Sequence, residues 1–314
     1  MLDIIVTHYD EPWETGKKFF DMLGCQRGAD FSQFRVILVH DGTGKFPKEY
    51  FEDYPYRVIQ HKIPHAGVSA ARNYGLDQAT DKWVQFCDFD DMYSNAYALR
   101  FVLEHMGKDL DYMWTPFMAE YVVGSEIIAN VKDTENIVFV HGKYYRREWL
   151  LENKLRFPEW IHFSEDSAFG AIVNELAKIG RRGKIKTPFP VYIWCVRPDS
   201  VSMRKDNEER NLTGFIDRNF YVAEEFIRRG IPHKLMIGRM FADAYWAFHR
   251  KGKAFPEEEA RFAEEARKYI PDLDDAVSSG SMPELMQAAM TNLPGECDPN
   301  AETFTAWISR ITGN

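Results

Sequence analysis

The sequence predicts an α/β protein, with a mostly parallel central sheet in residues 1–204 and an α-helical appendage in residues 205–314. Up to Asp91, short apolar, β-branched runs alternate with stretches of helical periodicity. Strands that are apolar along their whole length are buried on both faces, as in a parallel sheet with helices on either side. Polar residues collect directly after three of these runs, at Thr7–Glu11, His40–Thr43 and Asp88–Asp91. Beyond Arg204 only helical patterns follow.

Leu2–Tyr9 (LDIIVTHY) is the first strand, after which Trp13, Phe19, Phe20 and Leu23 fall on one face of a helix. Arg35–Asp41 (RVILVHD) and Tyr56–His61 (YRVIQH) are the second and third strands. Gly67–Ala79 reads as a helix and Lys82–Asp88 (KWVQFCD) as the fourth strand. Between residues 110 and 200 the pattern is mixed, with strand-like pieces at 136–140 and 190–195 and helices near 148–153 and 166–179. Helices over 213–229 and 234–251 are each closed by a glycine, Gly230 and Gly252. A last one over 257–270 starts after Pro256 with three glutamates in its first turn, which suits the helix dipole.

A chain of 314 residues that is 45% hydrophobic and 28% charged is globular, which excludes a disordered or collagen-like polymer. Its net charge of −9 and lack of any long Lys/Arg run argue against wrapping duplex or binding an anionic membrane. Cys25, Cys87, Cys195 and Cys297 are far apart and form no CxxC pair. Neither a zinc site nor a disulfide framework is expected, and a reducing, cytoplasmic setting fits. The amino terminus runs straight into a strand, so no signal peptide is expected. No apolar stretch reaches the roughly 20 residues that span a bilayer.

Asp88, Asp90 and Asp91 place three carboxylates directly after an apolar strand. Like charges this close raise one another's pKa unless a cation or hydrogen-bond donors neutralise them. Along an extended segment Asp88 and Asp90 share a side and Asp91 points elsewhere. A hard divalent cation needs only one or two such carboxylates plus a substrate's phosphates. The competing reading is a cap, with Asp90 or Asp91 opening the helix toward Leu103. Ser164-Glu165-Asp166-Ser167 precedes another apolar helix, where a cap is again the plainer reading. A carboxylate there is expected to have a lowered pKa, ionised and ready to accept a proton. Arg72 is placed to balance the aspartates or to meet a ligand phosphate. His40, His65 and His141 fit no metal spacing and read as structural. Trp114, Trp160 and Trp194 are candidate stacking surfaces, although tryptophan is more often core.

Taken in order, these segments resemble the family-2 glycosyltransferases of the GT-A fold. Ile4-Ile5-Val6-Thr7-His8-Tyr9-Asp10-Glu11 is similar to the family's first-strand signature, and Val39-His40-Asp41-Gly42-Thr43 to its Asp-Asp-Gly-Ser turn. Gly67-Val68-Ser69-Ala70-Ala71-Arg72-Asn73-Tyr74-Gly75 resembles its Gly-x-x-x-Ala-Arg-Asn-x-Gly helix. Phe86-Cys87-Asp88-Phe89-Asp90-Asp91 is similar to its DxD motif. His141-Gly142-Lys143, Arg146, Leu155–Glu159 and Glu165-Asp166 resemble the segment leading to its catalytic Glu-Asp. The resemblance covers residues 2–202 and leaves the helical tail outside.

The resemblance implies a metal-dependent, inverting transfer of a sugar from a nucleotide-sugar, a UDP-sugar favoured, to an acceptor hydroxyl. Thr7, Tyr9 and Glu11 would border the base and ribose, Asp41 would bond the base, and Arg72 would help hold the nucleotide. Asp88 would lie at the ribose and metal shell, Asp90 would ligate Mn²⁺ or Mg²⁺, and Asp166 would be the general base. Arg197, Ser200 and Ser202 resemble an Arg-x-x-Ser-x-Ser loop near the donor phosphates. A saccharide or glycoconjugate is the expected acceptor, with a modified nucleobase still open. His40 departs from the family's first turn Asp, Thr7 from its usual Pro, and His65 from a frequent Asn. Two other readings stay open: a catalytically inactive binding module on the same scaffold, and a sugar-nucleotide pyrophosphorylase. The latter would carry a Gly-rich basic loop where His8–Trp13 stands.

Overall fold

In chain order the elements up to residue 197 are β1 (Leu2–His8), α1 (Trp13–Gly24), β2 (Phe34–Asp41), β3 (Arg57–Ile63), α2 (Val68–Gln78), β4 (Trp83–Asp88), β5 (Met92–Tyr93), α3 (Ala98–His105), β6 (Tyr112–Trp114), β7 (Phe117–Val123), β8 (Glu126–Lys132), β9 (Lys143–Arg146), α4 (Arg147–Glu152), α5 (Glu165–Ile179), β10 (Arg182–Lys184) and β11 (Tyr192–Val196). The structure, a computed structural model, describes residues 1–123, 126–132, 139–197, 208–252, 254–292 and 296–313. The chain divides into two compact units, Met1–Arg204 and Lys205–Asn314.

β1 is buried along its whole length, as its unbroken apolar run requires. It pairs in parallel with β2 on one side and β4 on the other, and β3 extends the sheet beside β2. The full order is β10-β6-β9-β4-β1-β2-β3, mixed only where β9 runs antiparallel to β4 and β6. Strand order therefore reverses between β1 and β4, and ligands of open α/β sheets bind at the carboxyl ends of strands beside such a reversal. The helix α1 lays Phe19, Phe20 and Leu23 on the sheet, in one core with Leu2, Ile4, Val6, Val36 and Leu38. A second sheet, β5-β11-β7-β8, brings the end of β11 toward the loop after β4.

Gly16 of α1 faces the ring of Phe89, the residue between Asp88 and Asp90. A Cβ at Gly16 would meet that ring at 2.2 Å, and Phe89 is 1% exposed. Gly16→Ala is therefore expected to cost about 1–3 kcal/mol by overpacking and to displace the aspartates that flank Phe89. A chemical denaturation series checks the first effect. Unchanged stability would show that the ring yields freely.

The second unit holds α6 (Glu208–Arg228), α7 (Lys234–Phe248), α8 (Pro256–Ala266), α9 (Ile270–Ser278), α10 (Met282–Asn292) and α11 (Phe304–Thr312). Phe220, Phe241, Phe262, Tyr269 and Trp307 make its core. The buried Asp243 is paired with Arg239 at 2.6 Å, one turn away on α7.

Several expectations change. The helix expected over 257–270 is broken by a 3₁₀ turn at Arg267–Tyr269 and continues as α9 to Ser278, because Pro271 sits at the start of α9, where its missing N–H costs nothing. The strand expected at 136–140 falls largely on residues outside those described. Phe139 and Val140 are not in a strand, and β9 forms instead at Lys143–Arg146. The short strands β5, β6 and β10 and the hairpin β7–β8 had no sequence signal, being too short or too exposed to show alternation. No described helix is long and apolar enough to cross a membrane.

Candidate active site

The ends of β1, β2 and β4 meet as expected. Thr7 Oγ1 lies 3.5 Å from Asp88 Oδ1, and the Phe89 N–H donates to the Thr7 carbonyl at 3.2 Å. His8 and His40, at the ends of β1 and β2, approach Nδ1 to Nδ1 at 2.9 Å. Tyr9 is exposed, and the Tyr9 N–H donates to Glu11 Oε2 at 3.1 Å. Arg197, directly after β11, donates from Nε to Asp90 Oδ2 at 2.7 Å, and its Nη2 lies 3.5 Å from Glu11 Oε1. Ser200 and Ser202 lie outside the described residues.

Arg72 is 4% exposed and ties two segments together. Its Nη2 donates to Asp88 Oδ1 and its Nη1 to Glu165 Oε1, each at 2.9 Å, while its guanidinium lies over the Phe157 ring at 5.2 Å. The neighbouring Asn73 donates to the Phe157 carbonyl at 2.9 Å and accepts from the Phe157 N–H at 3.0 Å. The Arg-Asn pair of α2 thereby holds the segment that leads into Asp166.

Neither Asp90 nor Asp91 caps a helix. The helix α3 begins only at Ala98, after Tyr97. Asp91 is fully buried, with Oδ2 accepting from the Tyr192 hydroxyl at 2.8 Å and Oδ1 from the Cys195 N–H at 2.9 Å. It pins the loop to β11. The capping alternative for Ser164 also fails, since its hydroxyl makes no cap bond and its φ of 67° is left-handed for a non-glycine residue. Such backbone strain, about 1–3 kcal/mol, collects at functional sites.

The charges perturb one another. Burial and the Glu165 carboxylate push the Asp166 carboxyl up to about 7, against Arg72, the Ser167 N–H and Lys143. This corrects the lowered pKa expected for an acid at a helix start: enclosure among acids outweighs the helix terminus. Burial also works against the charged form of Asp88, but Arg72 and His141 overcome it and hold this carboxyl below its usual value. Asp90 is raised, by burial first and then by Asp88. Burial brings His141 down to about 4 and Lys143 down to about 8, the latter partly restored by Asp166.

The donor set suits a hard divalent cation, since carboxylates crowd here and two of them, Asp90 and Asp91, are driven upward in pKa by burial and then by the neighbouring carboxylates. Ligand atoms of Asp88, Asp91 and His141 lie within 4.8 Å of one another, and His141 Nδ1 is buried without a hydrogen-bond partner among the described residues. Asp91, however, has both oxygens engaged and no exposure, whereas Asp88 and Asp90 keep 29% and 18% of their side chains open.

Lys143 and Glu165 were named in the sequence only as parts of the segment leading to Asp166, and Tyr192 only within a strand-like piece, so the contacts that each makes at the site went unread. Lys143 and Tyr192 are buried by tertiary packing, and no local pattern places them beside the acids. The hold of Glu165 on Arg72 joins positions 93 residues apart. Of the tryptophans, Trp114 is core at 6% exposure and Trp160 stands out at 54%.

Residues 3–164 match the family model described as glycosyl transferase family 2, a little over half of the chain. The uncharacterized glycosyltransferase EpsJ of Bacillus subtilis is 31% identical over 160 residues, covering 44% of this chain and 46% of EpsJ. The minor teichoic acid biosynthesis protein GgaB of the same organism is 29% identical over 191 residues, covering 55% of this chain and 20% of GgaB. The chain thus spans less than half the length of these relatives. The crystal structure of S. aureus TarS 1-349 with UDP-GlcNAc shares the fold with a TM-score of 0.65 at 18% identity, covering 99% of this chain and 90% of that one. Mannosyltransferase PcManGT from Pyrobaculum calidifontis, with GDP-Man and Mn²⁺, gives 0.50 at 16% identity, covering 99% and 83%. The motif order along β1, β2, α2 and β4, the architecture and the family model agree, and the chain belongs to glycosyl transferase family 2.

Proposed function

We propose that the chain moves a sugar from a nucleotide-sugar, a UDP-sugar favoured, to an acceptor hydroxyl in one inverting displacement, with Asp166 as the general base. One observation carries the reading: Arg72 joins Asp88 at the end of β4 to Glu165 beside Asp166. Charge that holds a donor and a carboxylate that takes a proton are thereby parts of one network.

Asp166 accepts the proton of the acceptor hydroxyl as that oxygen's electron pair forms a bond to the anomeric carbon. The bond from that carbon to the diphosphate oxygen breaks, and the leaving group departs with the pair. Thr7, Tyr9, Glu11 and Asp41 border the base and ribose, and Arg197 stands ready for the phosphates once it leaves Asp90. Asp88 and Asp90, the open pair, would hold Mn²⁺ or Mg²⁺. When bound, such an ion offsets charge on the leaving diphosphate, a contribution of several kcal/mol. Solved TarS structures hold UDP or UDP-GlcNAc and the mannosyltransferase holds GDP-Man with Mn²⁺, which supports a nucleotide-sugar donor and a metal here.

Thermal melts with UDP, GDP and their sugars, with and without Mn²⁺ or Mg²⁺, test this. A nucleotide at 100 times its Kd adds about 2.7 kcal/mol, and the shift is expected only with metal and only with Asp90 intact. If no nucleotide moves the melt under any condition, the inactive binding module takes this reading's place.

A further inference from the structure

Among the described residues the two sheets end in four edge strands, β10 and β3 on one, β5 and β8 on the other. An edge presents N–H and C=O groups that another strand can take up, and proteins blunt such edges with shortness, charge or proline. Three of these four are blunted. β5 has two residues, β10 has three with Arg182 and Lys184 among them, and β3 carries Arg57, His61 and Lys62. β8 (EIIANVK) is not blunted. It runs for seven residues without proline or glycine and keeps its charges at its two ends. Every residue from Glu126 to Val131 is exposed, Ile127 by 66% and Val131 by 57%. Alternation puts Ile127, Ala129 and Val131 on one face. The register with β7 sets exposed Val122 beside Ile127, and Met118 beside Val131, on that same face.

The strand itself says what fits along this edge. Turned end for end about Ala129, it opposes its own copy with Glu126 across from Lys132 and Ile127 across from Val131, each pair occurring twice. A two-fold axis perpendicular to the sheet keeps each face on its own side, so the register can slip only by pairs that share a face. Such a slip sets Glu126 against Asn130, or Lys132 against Ile128, and loses both ion pairs. In the centred register the apolar row continues from Val122 and Ile127 of one copy to Val131 and Met118 of the other.

We propose that β8 is a self-association surface: two copies of this chain pair β8 with β8, antiparallel and centred on Ala129, and join their four-stranded sheets into one. A C2 contact uses the same patch on both copies, and facing Glu–Lys and Ile–Val pairs are the units that stabilise a sheet. The inference is independent of the nucleotide-sugar reading, because β8 holds none of the residues assigned to the crevice.

Sedimentation velocity on the full chain tests it, at about 0.15 M salt so that the like charge of the two copies is screened. A dimer is expected to form as protein concentration rises. Glu126→Lys and Lys132→Glu, each alone, set like charges opposite at two places and should weaken that dimer about tenfold. The two changes together exchange the partners and should restore it. The ends of one strand lie roughly 20 Å apart, so restoration reads contact between copies and not within one. A second measurement places the axis. In a Cys25→Ser background, which removes an exposed native thiol, Ala129→Cys should give a disulfide-linked dimer under mild oxidation, since facing Cα atoms of antiparallel strands stand about 4.5–5.5 Å apart. Ile127→Cys, more than about 13 Å from its own copy, should not. A monomer at every concentration, single reversals without effect, or a double variant as weak as either single overturns the proposal. So does a monomer that floats with phosphatidylcholine vesicles, which assigns the apolar edge to a lipid surface instead.

Discussion

With asparagine at position 166, transfer is expected to fall by about 10²–10⁴-fold, the usual worth of a general base, while the nucleotide still binds. Asp166→Asn keeps the size of the side chain and removes only the proton acceptor. The pH profile should carry the same signature. The Asp166 carboxyl is held up at about 7 by burial and by Glu165, so the ionised base accumulates as pH rises, and kcat/KM should climb through about pH 7 and level off above it. That limb should vanish in the variant's residual activity. Stability runs the other way. A carboxyl whose folded pKa is raised stabilises the fold while protonated, and that contribution is lost as pH rises through the folded value. At pH 8 Asp166→Asn should therefore be at least as stable as the unmodified chain. A variant that is less stable there and also loses nucleotide affinity would mark Asp166 as scaffold, not base.

Arg72→Met should be the most damaging single change in the first unit. The guanidinium is buried and holds Asp88 and Glu165 at 2.9 Å each, and removing one partner of such a network strands the other charges at a cost of about 3 kcal/mol or more. Two functional effects accompany it. Arg72 also lowers the pKa of Asp166, so its loss moves the acid limb of the rate profile above 7. Asp88 loses the charge that keeps it ionised, so metal-dependent nucleotide binding weakens. Arg72→Lys keeps a charge but cannot fork to two acids, and it is expected to recover stability only in part. If the acid limb stays in place while stability drops, Arg72 serves the fold without tuning the base.

Which parts of the site were legible follows from how local the signal is. Thr7, Asp41 and Asp88 stand at strand ends because the apolar run of each strand stops there, and that stop is written in the sequence. Arg72 and Asn73 could be read as near the acids because one helix connects two of the strands. What Arg72 holds could not, since Glu165 comes from a distant segment. The same limit explains Asp91. Strand alternation already set Asp91 apart from Asp88 and Asp90, but only Tyr192 and the Cys195 N–H show that it is a tether. The expected lowering of the Asp166 pKa assumed a helix start open to solvent; the enclosed crevice reversed the sign.

By itself the sequence determined the α/β class, the strands whose ends form the crevice, the helical character of the tail, and the aspartates and arginine that line the site. These follow from periodicity and from charge placed beside apolar runs, which are properties of a few consecutive residues. The tertiary structure alone decided the order β3-β2-β1-β4 with its reversal, the partners that make Asp91 a tether, the Arg72 bridge to Glu165, and the His65 imidazole held by Asp41. Hydrogen bonds and burial across many tens of residues set those features, and a carboxylate's role is fixed by which donors and how much water reach it.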